Sequence, residues 1–154
     1  MITRSKVDFI HFFSSYQLLK TLFASYGDKI IVAYLFGSVA QKKYGPLSDI
    51  DIAVLFNNKL TNQEIDNFEE EIYSKLTTLL KTEEIDLIVL NKAPLSVQYG
   101  VIKNKEIIYF SDMTQVVDYQ TKLLLTYLDF KPVKDQMNKD YIYLLKKKVG
   151  AKNG

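Results

Sequence analysis

The sequence predicts an α/β protein: a small mixed β-sheet flanked by helices, with further helices at its C-terminal end. Three observations carry this reading. Apolar runs of strand length recur at 30–36, 48–56, 84–90 and 106–110, each bounded by turn or polar residues. Between them lie segments whose apolar residues repeat at intervals of three and four, the period of a helix packed on one side. After the last strand only helical periodicity remains.

The elements follow in order. Phe9, Phe12, Tyr16, Leu19, Phe23 and Tyr26 form an amphipathic helical stripe, which Gly27 is placed to end. Ile10, Phe13 and Leu22 widen that stripe, so a core helix buried on more than one side is expected. His11, the one histidine, sits on this apolar helix and is read as a packed or surface residue rather than a catalytic one. Ile30–Phe36 is a buried strand, and Gly37-Ser38 marks the point where it ends and the chain turns helical. Ser48 to Phe56 is the next strand, with Ile50, Ile52, Val54 and Phe56 on one apolar face.

Thr61 and Glu64 form a capping box that opens a helix carrying Ile65, Phe68, Ile72, Leu76 and Leu79 inward. Its Glu69-Glu70-Glu71 run reads as a solvated face. Glu84–Leu90 is a third strand, Pro94 begins a helix reaching about Lys103, and Glu106–Phe110 is a short final strand. A helix pair is expected last: Met113 to Tyr127, a break at Pro132, then a second helix with Met137, Tyr141 and Leu144 at helical spacing. Lys146-Lys147-Lys148 then reads as a solvated helix end favoured by the macrodipole. The whole, residues 1–154, is expected to be one domain with a core at about 28–110 and a helical extension at about 112–149.

Chemistry concentrates at Gly37-Ser38 and Asp49-Ile50-Asp51. Backbone N–H groups at a strand-to-helix junction lack partners and favour an anion. Asp49 and Asp51 are two apart in a strand, so they share a face roughly 7 Å apart at ~3.3 Å per residue. Asp86, near the start of its own strand, would join them if the two strands are neighbours. Hard oxygen ligands beside a phosphate cradle are what a Mg²⁺-nucleotide site requires, and three carboxylates can hold two ions about 3.5–4 Å apart. Singly, each element has an ordinary reading as a turn, a solvated strand face or a strand end. The combination in this order is far more specific.

The run Leu35-Phe36-Gly37-Ser38-Val39-Ala40 through Pro46-Leu47-Ser48-Asp49-Ile50-Asp51-Ile52-Ala53-Val54-Leu55 resembles the minimal nucleotidyltransferases of the DNA polymerase β superfamily. Ile85-Asp86-Leu87-Ile88-Val89-Leu90 is similar to their third-carboxylate strand. The stretch Tyr119-Gln120-Thr121-Lys122, with Tyr127 to Pro132, is similar to the tail of MntA-type antitoxins. The resemblance implies a polymerase β-like fold, with Asp49, Asp51 and Asp86 as metal ligands and catalytic residues and Gly37 and Ser38 as nucleotide-binding ones. It also implies two Mg²⁺ ions, ATP as substrate, and a HEPN-domain ribonuclease toxin as partner, adenylylated on a tyrosine. Many relatives carry Arg-Gly after the alanine, where this chain has Gln41-Lys42-Lys43. Lys42 and Lys43 would then supply positive charge to the phosphates without arginine's bidentate geometry. Two alternatives stay open: transfer to a small-molecule acceptor such as an aminoglycoside, and a non-catalytic antitoxin that acts by occlusion.

Composition bounds these readings. A net charge of +2 gives no broad drive toward nucleic acid, which argues against direct nucleic-acid binding. The absence of cysteine excludes disulfides and thiolate chemistry and matches a cytoplasmic protein. No apolar run approaches a membrane span, and Met1 to Phe13 carries Arg4, Lys6 and Asp8, unlike a signal peptide.

Overall fold

The computed structural model describes residues 7–153, so Met1 to Lys6 lie outside the described residues. Four strands form one mixed sheet: β1 (Ile30–Phe36), β2 (Ile50–Phe56), β3 (Ile85–Val89) and β4 (Glu106–Phe110), in the order β3-β2-β1-β4. β1 runs antiparallel to both β2 and β4, whereas β2 and β3 are parallel. A parallel pair needs a crossover, and α4 (Asn62–Leu80) supplies it. Thr61 and Glu64 close the capping box in both directions at 3.1 Å, as the sequence predicts.

Alternation along the strands sends residues to two apolar layers. Ile50, Ile52, Val54 and Phe56 join Phe12, Leu19, Phe23, Ile72 and Leu76 on one face. Helices α1 (Phe9–Ser14), α2 (Tyr16–Ala24) and α4 cover this face. On the other face Val32, Tyr34, Ala53 and Leu55 pack with Val101, Ile102, Val116 and Leu123 of α5 (Leu95–Lys103) and α6 (Met113–Asn153). Three polar or aromatic contacts fix that second layer. Gln120 Nε2 donates to the Tyr34 hydroxyl at 2.6 Å, Tyr119 donates to Gln98 Oε1 at 2.8 Å, and Tyr99 stacks on Tyr127 at 3.8 Å.

Three expectations are corrected. The N-terminal stripe is not one helix: Ser15, with φ −93° and ψ 1°, separates α1 from α2, and its N–H donates to the carbonyls of His11 and Phe12. Ile10 and Phe13 accordingly face outward, Ile10 at 85% exposure. The C-terminal helix pair is a single helix, α6, running through Pro132. Proline removes one helical N–H bond and frees the carbonyl four residues back. Pro132 and Leu128 are both exposed, so water can take that carbonyl and no break is forced. Leu144 is exposed, and the side chains of Met137, Tyr141 and Lys148 lie outside those described. Among the described residues no helix is long and apolar enough to cross a membrane.

Candidate functional site

The β1–α3–β2 turn forms the site from the backbone outward. β1 ends at Phe36, and the four residues Gly37–Ala40 make a single helical turn, α3. The chain leaves this turn through Lys42, which takes a left-handed φ of 58°. Lys43 N–H closes back onto the Ser38 carbonyl at 2.9 Å, the pattern that ends helices with a left-handed residue. A second tight turn follows, with Gly45 N–H donating to Ser48 Oγ at 2.8 Å and Ser48 N–H donating to the Gly45 carbonyl at 3.1 Å. Ser48 therefore shapes the entry to Asp49, a role that sequence reading missed although the Gly-Pro-x-Ser run signals a turn.

The parallel register places Asp51 directly beside Asp86. Both project to the face that Ala53 and Leu55 occupy further along β2. Asp49 precedes the strand and is exposed, as is Asp86, whereas Asp51 is half-buried. Burial first, then the like charges of Asp86 and Asp49, push the Asp51 carboxyl up to about 6. The like charges of Asp86 and Asp49 thus bear on Asp51, which is the condition a cation relieves. Among the described residues no group of three such side chains is already drawn together around a metal position. Their donor chemistry, carboxylate oxygens only, fits a hard ion such as Mg²⁺.

Gly37 is required here for a reason the sequence did not reveal. Its φ is +72°, and a Cβ at this position would lie 2.0 Å from Asp51 Oδ2. The glycine is the wall against which the central carboxylate rests. Ser38 follows it, half-buried, while Lys42 and Lys43 are exposed on the loop that leaves α3. Glu106 pairs with Leu35 at this same end of the sheet; on the α2 side, burial first and then the Glu106 charge push the Tyr16 hydroxyl pKa up. His11 is structural: its Nε2 lies 3.0 Å from the Leu79 carbonyl of α4. Gln120 ties α6 to Tyr34 of β1, and Tyr119 ties it to Gln98 of α5.

A strand–turn–strand unit thus carries Asp49 just before its second strand and Asp51 within it, with Asp86 on the neighbouring parallel strand. The family model "Polymerase beta, Nucleotidyltransferase" matches residues 17–114, and the chain belongs to this family. No functionally curated protein matches its sequence. Among solved structures, it is similar to a chain of a toxin–antitoxin crystal structure with AMP-PNP. The identity is 24%, covering 82% of this chain and 98% of that one, with a TM-score of 0.65. It is also similar to a chain of the Shewanella oneidensis complex of tri-AMPylated HEPN toxin with MNT antitoxin. There the identity is 22%, covering 82% and 98%, with a TM-score of 0.59. A chain of an MntA–HepT toxin–antitoxin structure matches at 22% identity over 84% and 97%, with a TM-score of 0.61. At these identities the likeness shows the fold.

Proposed function

We propose that this chain is an antitoxin adenylyltransferase that transfers AMP from Mg²⁺–ATP to a tyrosine of a HEPN ribonuclease toxin in the cytoplasm. The observation that carries the chemistry is the pairing of Asp51 with Asp86 on adjacent parallel strands, with Gly37 packed against Asp51. The partner is supported by likeness, over nearly the whole length of those chains, to structures of HEPN toxin with MNT antitoxin, one of them AMPylated.

In this reading Asp49, Asp51 and Asp86 hold Mg²⁺. Bound there, Mg²⁺ would neutralise triphosphate charge and acidify the acceptor hydroxyl, whose ordinary pKa is about 10. The backbone at Gly37 and the Ser38 hydroxyl meet the phosphates, and Lys42 and Lys43 add positive charge from the loop. The tyrosine oxygen forms a bond to the α-phosphorus, pyrophosphate leaves, and the phenolic proton passes to solvent or to Asp86. A bulky anionic group then sits beside the toxin's catalytic centre and excludes substrate phosphate.

Co-expression of a HEPN toxin with wild type or with Asp49→Asn tests this. The wild type is expected to protect cells and to add adenylyl mass to the toxin. Asp49→Asn is expected to bind the toxin and fail at both. Protection by the mutant without added mass would replace this reading with inhibition by occlusion.

A further inference from the structure

The loop from Gln41 to Asp49 carries both lysines and delivers the first carboxylate, yet the hydrogen bonds described above stay within residues 37–48. What joins it to the body of the protein is an aromatic clasp. Tyr44, at the loop's midpoint, stacks on Phe9 of α1 with ring centroids 4.3 Å apart and planes 28° apart. It also leans on Phe13 at 5.8 Å. Val7, Gly45 and Pro46 line an open cavity beside the same contact.

The platform beneath Tyr44 is well fixed. Phe12 of α1 is fully buried in the core and stands edge-on to Phe13 at 5.3 Å. Asp8 caps the helix by accepting from His11 N–H at 3.0 Å, and the His11 ring reaches the α4 carbonyl of Leu79. The helix α1 is thus tied to α4 and the core on one side and presents two rings to the loop on the other.

We propose that Tyr44 is a positioning residue for nucleotide. Its clasp with Phe9 and Phe13 holds the loop so that Lys42, Lys43 and Asp49 stay aligned with Gly37 and Asp51. Without the clasp, the loop must lose conformational freedom each time nucleotide binds, and affinity falls by that ordering cost. The inference rests on the nucleotide reading above and adds α1 to the elements that set affinity. The contribution is the ring's, not the hydroxyl's, because both contacts are made between rings, one stacked and one tilted.

Calorimetric titration of AMP-PNP in Mg²⁺ buffer tests this with wild type, Tyr44→Phe, Tyr44→Ala, Phe9→Ala and the double alanine variant. Tyr44→Phe is expected to bind as wild type does. Each single alanine variant is expected to bind about tenfold more weakly, the scale of one or two lost aromatic pairs. The double variant should be no weaker than the worse single one, because both act through one contact. Phe9→Ala is the decisive arm, since Phe9 lies on a separate helix from every group assigned to the site. Wild-type binding together with undiminished binding by Tyr44→Ala and Phe9→Ala overturns the clasp alone. Additive losses, or a Tyr44→Phe variant as weak as Tyr44→Ala, overturn it in favour of direct contact with the ligand. No binding by wild type overturns the nucleotide reading and the clasp with it.

Discussion

The two ends of β2 are built on one alternation and finish in opposite conditions. Toward Phe56 both faces are covered: Val54 and Phe56 lie in the layer under α2 and α4, while Ala53 and Leu55 lie under α5 and α6. Even the backbone is closed there. Asn91 accepts from Phe56 N–H at 2.8 Å and donates to its carbonyl at 2.9 Å. Toward Asp49 the cover thins, and the face that holds Ala53 and Leu55 holds Asp51 instead, with Asp86 alongside. The far end gains stability from apolar burial; the near end accumulates like charge against a glycine wall. Stability and chemistry are separated along seven residues of one strand.

Breaking the covered end should have the largest effect on folding. Phe56→Ala is expected to lower stability by about 3–5 kcal/mol, because it opens a cavity among Phe68, Ile72 and their neighbours. Chemical denaturation measures the loss, and nucleotidyl transfer should fall only with the folded fraction. At the uncovered end Gly37→Ala is expected to cost about 1–3 kcal/mol, since alanine is strained at φ +72° and its Cβ displaces the Asp51 carboxylate. Here transfer should be lost even in protein that melts as folded. Full activity in a folded Gly37→Ala variant would separate the glycine from the site.

The charge at the near end predicts an opposite sign for Asp51→Asn. Folding raises the Asp51 pKa from 3.8 to about 6, so the folded state binds a proton that the unfolded chain releases between those values. Its contribution therefore favours folding as pH falls through that window and opposes folding above it. In EDTA, thermal melts should show Asp51→Asn above wild type near pH 7.5, with the gap closing toward pH 4. Added Mg²⁺ should raise wild type and leave the variant behind. A gap independent of pH would contradict the charge argument.

The smallest expected effect concerns Lys42. A left-handed residue after a helical turn is favoured as glycine, so Lys42→Gly should be neutral or stabilising by about 0.5–1 kcal/mol. If its charge serves the phosphates, nucleotide affinity should fall as stability holds. Unchanged affinity would make the lysine a surface residue.

Much of the site was legible because its signal is local. The apolar alternation at Ile50, Ile52, Val54 and Phe56 commits Asp51 to the opposite face, whereas Asp49 lies one residue before the strand that was expected to hold it. Asp86 could be named from its own strand, but its place beside Asp51 depended on a parallel pairing that only the α4 crossover provides. The reason for Gly37 was not legible, because the atom that forbids a side chain there belongs to a strand fourteen residues away in sequence. The Ser15 break and the continuous α6 were misread for a related reason. Apolar period and proline report local preference, whereas the burial of Ser15 and the exposure of Leu128 and Pro132 belong to the surroundings. Tyr44 drew no expectation from the sequence, because its partners Phe9 and Phe13 lie on a separate helix some thirty residues earlier.

Labelled transfer tests the site at the uncovered end of β2 most directly. Incubation of the chain and a co-purified HEPN toxin with α-labelled ATP and Mg²⁺ should label the toxin on tyrosine with wild type. Asp49→Asn, folded and still bound to the toxin, should leave it unlabelled. Equal labelling by both proteins, or no labelling by wild type while it still silences the toxin, would contradict the claim that the uncovered end of β2 is a nucleotidyl-transfer site.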